Sequence, residues 1–220
     1  MIRQLGVSPP ERTEMRAMDG GLRYRVLRVC VRALLRVGWG LRVEGLERLP
    51  KPPYIIAPNH TSEIDPVVLS AVLPFRPTYL AARYLERFPV LFAILRRFDP
   101  VFVRRGLSDI GSIKACLQRL ARGEILVVFP EGRVVQQEEL GPMHPGAAFL
   151  AIRAGVPLIP VALIGLAQMW PLGARWPRRS RIAVQIGDPI ARPAGDGEQA
   201  AVVTEAIARA IRRLMGRQND

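Results

Sequence analysis

"YIIAPNHTSEIDPVVLSAVL", residues 54–73, sets an apolar run against a helix start, with a histidine between them. The run at residues 54–57 has the length and composition of a buried strand. "Ile64-Asp65-Pro66" reads as a helix N-terminus, with Asp65 at the N-cap, Pro66 pre-organised at the first helical position, and a helix over Pro66–Leu73. That accounts for the aspartate and leaves His60 unexplained. The histidine is one of only two in the chain, and it stands at the end of the apolar run, five residues before Asp65.

The same alternation continues outward. "YIIAPN", "TYLAAR", "PVFVRR", "ILVVFP", "LIPVALIG" and "RIAVQIG" read as strands, while Phe88–Arg97, Leu107–Arg122 and Gly146–Ala154 read as helices. Apolar residues at Ile110, Ile113, Leu117 and Leu120 mark one face of the second of these. A last helix follows the turn "ARPAGDGEQ" and runs to about Gly216. Strands separated by helices predict an α/β fold, a mostly parallel central sheet flanked by helices. Residues 1–20 carry scattered charge without an apolar core and read as a poorly ordered lead-in rather than a secretory signal. Residues 41–220 then form a single domain, within the size of one large core.

The formal charge of +13 comes almost wholly from arginine, Lys51 and Lys114 being the only lysines, so the surface should seek anionic partners. Nucleic acid fits poorly, because the strand-like segments lack basic residues interleaved with aromatics. Segment 21–40, "GLRYRVLRVCVRALLRVGWG", places Arg25, Arg28, Arg32 and Arg36 along one helical stripe, with Leu27, Val31, Leu34 and Leu35 mainly on other faces. That composition suits a helix lying in an anionic membrane interface, or one packing its apolar side on the domain. The longest uncharged stretch, Ala154–Ala174, is long enough to cross a bilayer, but Pro157, Pro160, Gly165, Pro171 and Gly173 break it, and it reads as a strand and a turn. Cys30 and Cys116 lie in apolar helical patterns and read as buried thiols. With two histidines and no Cys-x-x-Cys pair, no metal site is expected.

The chain has no Gly-x-Ser-x-Gly elbow, no phosphate loop and no Gly-x-Gly-x-x-Gly after a strand. What remains is His60 at a strand end with Asp65 near enough to bond one imidazole nitrogen. Such a carboxylate fixes the tautomer and stabilises the imidazolium, freeing the other nitrogen to take a proton from a substrate hydroxyl.

"NHTSEID" (59–65) resembles the His-x4-Asp motif of the glycerolipid acyltransferase family, in particular its 1-acylglycerol-3-phosphate (lysophosphatidate) acyltransferases. "PVFVRRG" (100–106), "VVFPEGR" (127–133) and "GVPLIPVAL" (155–163) resemble the family's later motifs in order, over about residues 41–190. The resemblance implies transfer of a fatty acyl chain from acyl-CoA or acyl carrier protein to the free hydroxyl of lysophosphatidic acid, giving phosphatidic acid. It implies no metal, no cofactor beyond the acyl thioester co-substrate, and no acyl-enzyme. His60 would be the general base and Asp65 its orienting partner. Arg104 would meet the acceptor phosphate, Glu131 and Gly132 would serve acceptor binding, and Arg83 would line the channel. Many relatives read Phe-Pro-Glu-Gly-Thr-Arg-Ser, whereas here Arg133 follows Gly132 directly. Arg133 is thereby a substrate-binding candidate, and His144 in "GPMHPG" a channel-lining one. The expected partners are anionic membrane lipids, a lysophospholipid acceptor and an acyl thioester, at the cytoplasmic face of the cell membrane. Other readings are acylation of another lipid alcohol, such as a different lysophospholipid or a glycolipid, or a non-catalytic basic lipid-binding protein.

Overall fold

A computed structural model describes residues 21–82, 100–103, 110–136, 140–191 and 199–216. In chain order the elements are α1 (Gly21–Trp39), β1 (Arg42–Glu44), a 3-10 turn (Leu46–Arg48), β2 (Tyr54–Pro58), α2 (Asp65–Val72), β3 (Thr78–Ala82) and β4 (Val101–Val103). Then follow α3 (Ile110–Ala121), β5 (Ile125–Val127), α4 (Gly146–Ala154), β6 (Leu158–Ile164), α5 (Leu166–Met169), β7 (Ala183–Ile186) and α6 (Gln199–Gly216). The strands form one seven-stranded sheet in the order β1-β7-β6-β2-β5-β3-β4. Every neighbouring pair is parallel except β6 with β7. The mostly parallel sheet expected from the sequence is therefore present, with β1 as an added edge strand that the apolar pattern did not mark. Three residues reading Arg-Val-Glu carry too little periodicity to be recognised. The expected helix Phe88–Arg97 and the lead-in 1–20 lie outside the described residues.

β2 sits near the middle of the sheet and is buried along its whole length. Alternate side chains feed two cores. Tyr54 and Ile56 join α1 and α2 on one face, while Ile55 and Ala57 join α3, α4 and α6 on the other. The connection leaving β2 therefore crosses one face through α2, and the connection from β5 to β6 crosses the opposite face through α4. Connections that leave adjacent parallel strands across opposite faces in this way open a crevice at the strands' carboxyl ends, here β2 and β5. No helix among the described residues is long and apolar enough to cross a membrane.

Several side chains depart from the sequence expectations. Cys116 is buried but Cys30 is exposed, because α1 buries only Leu35 fully. Ile110 is exposed at the start of α3, and Cys116 takes the inward position instead. The arginine stripe of α1 also divides. Arg28 and Arg32 are half-buried against the domain, whereas Arg25 and Arg36 are exposed. Arg28 Nη1 donates to Leu73 O at 2.6 Å, where the end of α2 presents carbonyls with no helical partner. Burial lowers the Arg32 pKa, and its Nε has no hydrogen-bond partner among the described residues. The outer face of α1 is left to Leu22, Val26, Val29, Leu34 and Val37, all exposed.

Candidate active site

The site is built at the carboxyl ends of β2 and β5. Asn59 extends β2 by one step: its side-chain Nδ2 donates to Leu163 O at 3.0 Å and its Oδ1 accepts from Leu163 N at 2.7 Å. This buried amide substitutes for a further rung of the β2–β6 ladder and fixes where the next residue, His60, leaves the sheet. His60 Nδ1 lies 2.8 Å from Asp65 Oδ2. With that nitrogen carrying the proton toward the carboxylate, Nε2 holds the lone pair.

Asp65 is wholly buried. Besides the imidazole, its Oδ2 accepts from the backbone amides of Thr61 at 2.7 Å and Ser62 at 3.0 Å. Asp65 is thus the first residue of α2 rather than its N-cap, and no side chain caps that helix. The carboxylate turns back onto the preceding loop because that loop offers two amides and the imidazole at once. Burial pushes the Asp65 carboxyl upward, and the His60 ring and the two amides pull it back. Asp65 Oδ1 and Thr61 Oγ1 are buried without a hydrogen-bond partner among the described residues. The first turn of α2 is held in turn from β3, where Tyr79 Oη lies 2.7 Å from Pro66 O and 2.8 Å from Ser70 Oγ.

The second wall comes from the segment after β5. The Phe129 ring stacks on His60, with centroids 4.0 Å apart and 27° between the planes. Glu131 is buried, its Oε1 accepting from His60 N at 2.9 Å and its Oε2 from Gly141 N at 3.3 Å. His60 O accepts from Val135 N at 2.7 Å. The imidazole is therefore clamped through its ring by Asp65 and Phe129 and through its backbone by Glu131 and Val135. Burial raises the Glu131 pKa against the pull of the two amides. Gly132 has φ +64, and a Cβ there would come within 3.3 Å of His144 Cδ2, so His144 lies over this turn. At Gly141 a Cβ would stand 2.8 Å from Glu131 Oε2, in the space the carboxylate needs.

The structure thus gathers His60, Asp65, Glu131, Gly132 and His144. Arg133 follows them, exposed. Arg83 and Arg104 lie outside the described residues, next after the ends of β3 and β4, where Ala82 pairs with Val103. Asn59 and Phe129 are the residues that sequence reasoning left unassigned. Asn59 stood beside His60 in a motif, but the contact that gives it a role spans 104 positions. The His60 side chain is 18% exposed whereas Asp65 is wholly buried, so of this pair only the imidazole is open to a substrate.

Comparison with known proteins gives a consistent likeness. A family model described as Acyltransferase matches residues 40–164. Two Pseudomonas aeruginosa proteins are similar over much of the chain. One is a 1-acyl-sn-glycerol-3-phosphate acyltransferase, 30% identical over 175 residues, covering 76% of this chain and 66% of that protein. The other is a lyso-ornithine lipid O-acyltransferase, 31% identical over 142 residues, covering 64% and 52%. The crystal structure of the 1-acyl-sn-glycerophosphate acyltransferase from Thermotoga maritima superposes with a TM-score of 0.68 at 21% identity, covering 87% of this chain and 80% of that one, a likeness of fold. The chain spans only 46% and 39% of the length of two other curated relatives it matches.

Proposed function

This chain belongs to the acyltransferase family, and from that premise we propose that it moves a fatty acyl chain from acyl-CoA or acyl carrier protein to the free hydroxyl of lysophosphatidic acid, giving phosphatidic acid. The observation that carries the reading is the 2.8 Å His60–Asp65 pair at the end of β2. His60 Nε2 takes the hydroxyl proton as the acceptor oxygen attacks the thioester carbonyl. The resulting tetrahedral adduct collapses, the C–S bond breaks, and the imidazolium returns the proton to the departing thiolate. Asp65 stabilises the imidazolium between these steps. No protein nucleophile is needed, because the acceptor alcohol attacks directly.

Arg104, Arg83 and Arg133 are assigned to the anionic parts of the substrates, with Arg104 on the acceptor phosphate through charge-assisted hydrogen bonds. Glu131, whose two oxygens hold the amides of His60 and Gly141, would serve acceptor binding by shaping the turn through Gly132. The reaction belongs at an anionic membrane surface on the cytoplasmic side, with α1 as the interfacial helix. The support is its outer row of exposed Leu22, Val26, Val29 and Val37 beside Arg25 and Arg36. A second acceptor class has its own support. The two Pseudomonas aeruginosa relatives match almost equally well, and one is named for a lyso-ornithine lipid.

The deciding experiment offers labelled acyl-CoA to the purified protein with lysophosphatidate, glycerol 3-phosphate, lyso-ornithine lipid and other lysophospholipids. We expect lysophosphatidate to be the best acceptor and His60→Ala to lose roughly 10²–10⁴-fold in rate while keeping its fold. Arg104→Ala should weaken the apparent acceptor affinity by roughly tenfold or more, with Arg105→Ala as the control. A folded His60→Ala protein with unaltered turnover would overturn the mechanism. A preference for the lyso-ornithine lipid would replace the acceptor.

A further inference from the structure

A second surface at the same edge of the sheet is left unexplained by acyl transfer. Residues 170–181, Trp-Pro-Leu-Gly-Ala-Arg-Trp-Pro-Arg-Arg-Ser-Arg, run from α5 toward β7. Their backbone is firmly held. Arg178 N donates to Met169 O at 2.7 Å, Ala174 N to Pro171 O at 2.9 Å, and Ser180 Oγ to Gly165 O at 3.1 Å. Ser62 Oγ, three residues before Asp65, donates to Trp170 O at 2.8 Å, so the segment is tied directly to the catalytic loop. Trp39 Nε1, at the end of α1, donates to Arg178 O at 2.8 Å, which joins it to the interfacial helix as well.

On this fixed frame the side chains point outward in an unusual combination. Leu172 is 59% and Trp176 77% exposed. Arg175, Arg178, Arg179 and Arg181 are all exposed, and the sequence holds no Asp or Glu from residue 140 to residue 187. All three tryptophans of the chain, Trp39, Trp170 and Trp176, belong to this corner. Trp39 and Trp170 have their indole N–H groups bonded to Arg178 O and Ala174 O, whereas Trp176 spends its large apolar ring on solvent. An exposed tryptophan and leucine among unopposed arginines fit a headgroup layer, where the ring meets acyl chains and the guanidinium groups meet phosphates.

We propose that residues 170–181 form a second membrane-docking element, with Leu172 and Trp176 entering the boundary of an anionic phospholipid bilayer and Arg175, Arg178, Arg179 and Arg181 pairing with its phosphates. The proposal rests on the reading of α1 as interfacial only in sharing that surface with it. Charge complementarity and continuity with α1 through the Trp39–Arg178 bond select the lipid surface over other occupants. Two docking elements joined by the Trp39–Arg178 bond, one of them tied to the loop after His60 through Ser62, would fix the bilayer beside the His60 crevice, where a single helix would leave the domain free to pivot.

The test uses the full chain and vesicles of phosphatidylcholine with roughly one-third phosphatidylglycerol. Leu172→Ser/Trp176→Ser should weaken sedimentation with these vesicles about tenfold, and Arg175→Gln/Arg179→Gln about tenfold as well, in both cases with α1 intact. Trp176→Phe, which preserves an apolar ring, should retain binding but lose most of the fluorescence quenching caused by lipids brominated in their acyl chains. Thermal melts check that each variant is folded. Vesicle binding within twofold of wild type for both double variants, or quenching undiminished in Trp176→Phe, would overturn the proposal. Loss of oligonucleotide binding with vesicle binding retained would overturn it in favour of nucleic acid. Vesicle binding is read without turnover, so it stands apart from the acyl-transfer assay on detergent-dispersed acceptor. There the double variants should match wild type, and failure of the wild type itself would count against the enzymatic reading alone.

Discussion

Two regions share the carboxyl edge of the sheet and treat charge in opposite ways. Around His60 the acids Asp65 and Glu131 are buried, and each accepts from backbone amides as well as holding some part of the histidine. On the outer face of α1 and along residues 170–181 the charges are exposed arginines, neither segment holds an acidic residue, and Leu22, Val26, Val29, Val37, Leu172 and Trp176 are exposed beside them. In the first region a charge is costly unless every donor is placed, so geometry is rigid and a single atom counts. In the second, water already solvates each group, so individual residues count little for stability and the region acts through its sum.

The sharpest break of this contrast is Asp65→Asn. The amide keeps the size but loses the charge that holds the imidazolium, and we expect a rate loss of roughly 10²–10⁴-fold on the best acceptor. A loss of less than about threefold would mean that the pair is structural. Asn59→Ala follows. It leaves Leu163 N and O unpaired beneath the site, which should cost about 1–3 kcal/mol in a denaturant titration and lower turnover with it. Gly132→Ala forces a side chain into a left-handed conformation at φ +64 beside His144, at a cost of about 1–2 kcal/mol.

Glu131→Gln is read through pH. Because burial raises its pKa above 4.5, the folded chain holds this proton more tightly than the unfolded chain does. Its contribution is therefore fully present below pH 4.5 and is lost as pH rises through the folded value. Glu131→Gln should make stability fall less steeply over that window. Asp65 has the same sign and keeps the slope from vanishing, and an unchanged slope would remove Glu131 from the account. The smallest effect on folding is expected from Val26→Gln/Val37→Gln on the outer face of α1. Stability should stay within about 0.5 kcal/mol, while vesicle binding weakens. A larger loss of stability would show that α1 is held by its outer face and erase the contrast.

The sequence alone determined the repeating order of strand and helix, and with it the mostly parallel sheet. Runs such as Ile125–Val127 and Leu158–Ile164 are buried on both faces and must be continuously apolar. It also placed His60 and Asp65 near enough to pair, since a spacer of four residues lets the loop bring the two side chains together. Tertiary structure decided what spacing cannot encode. Only the folding of β2 beside β5 puts Phe129 on the imidazole and Glu131 on the backbone of His60, across 71 positions of sequence. The inward turn of Arg28 was likewise decided by the unpaired carbonyl at Leu73, 45 residues away. On an isolated helix those arginines form one polar stripe, and only packing on the domain turns Arg28 and Arg32 inward, Arg28 onto the Leu73 carbonyl, and leaves the apolar row outside.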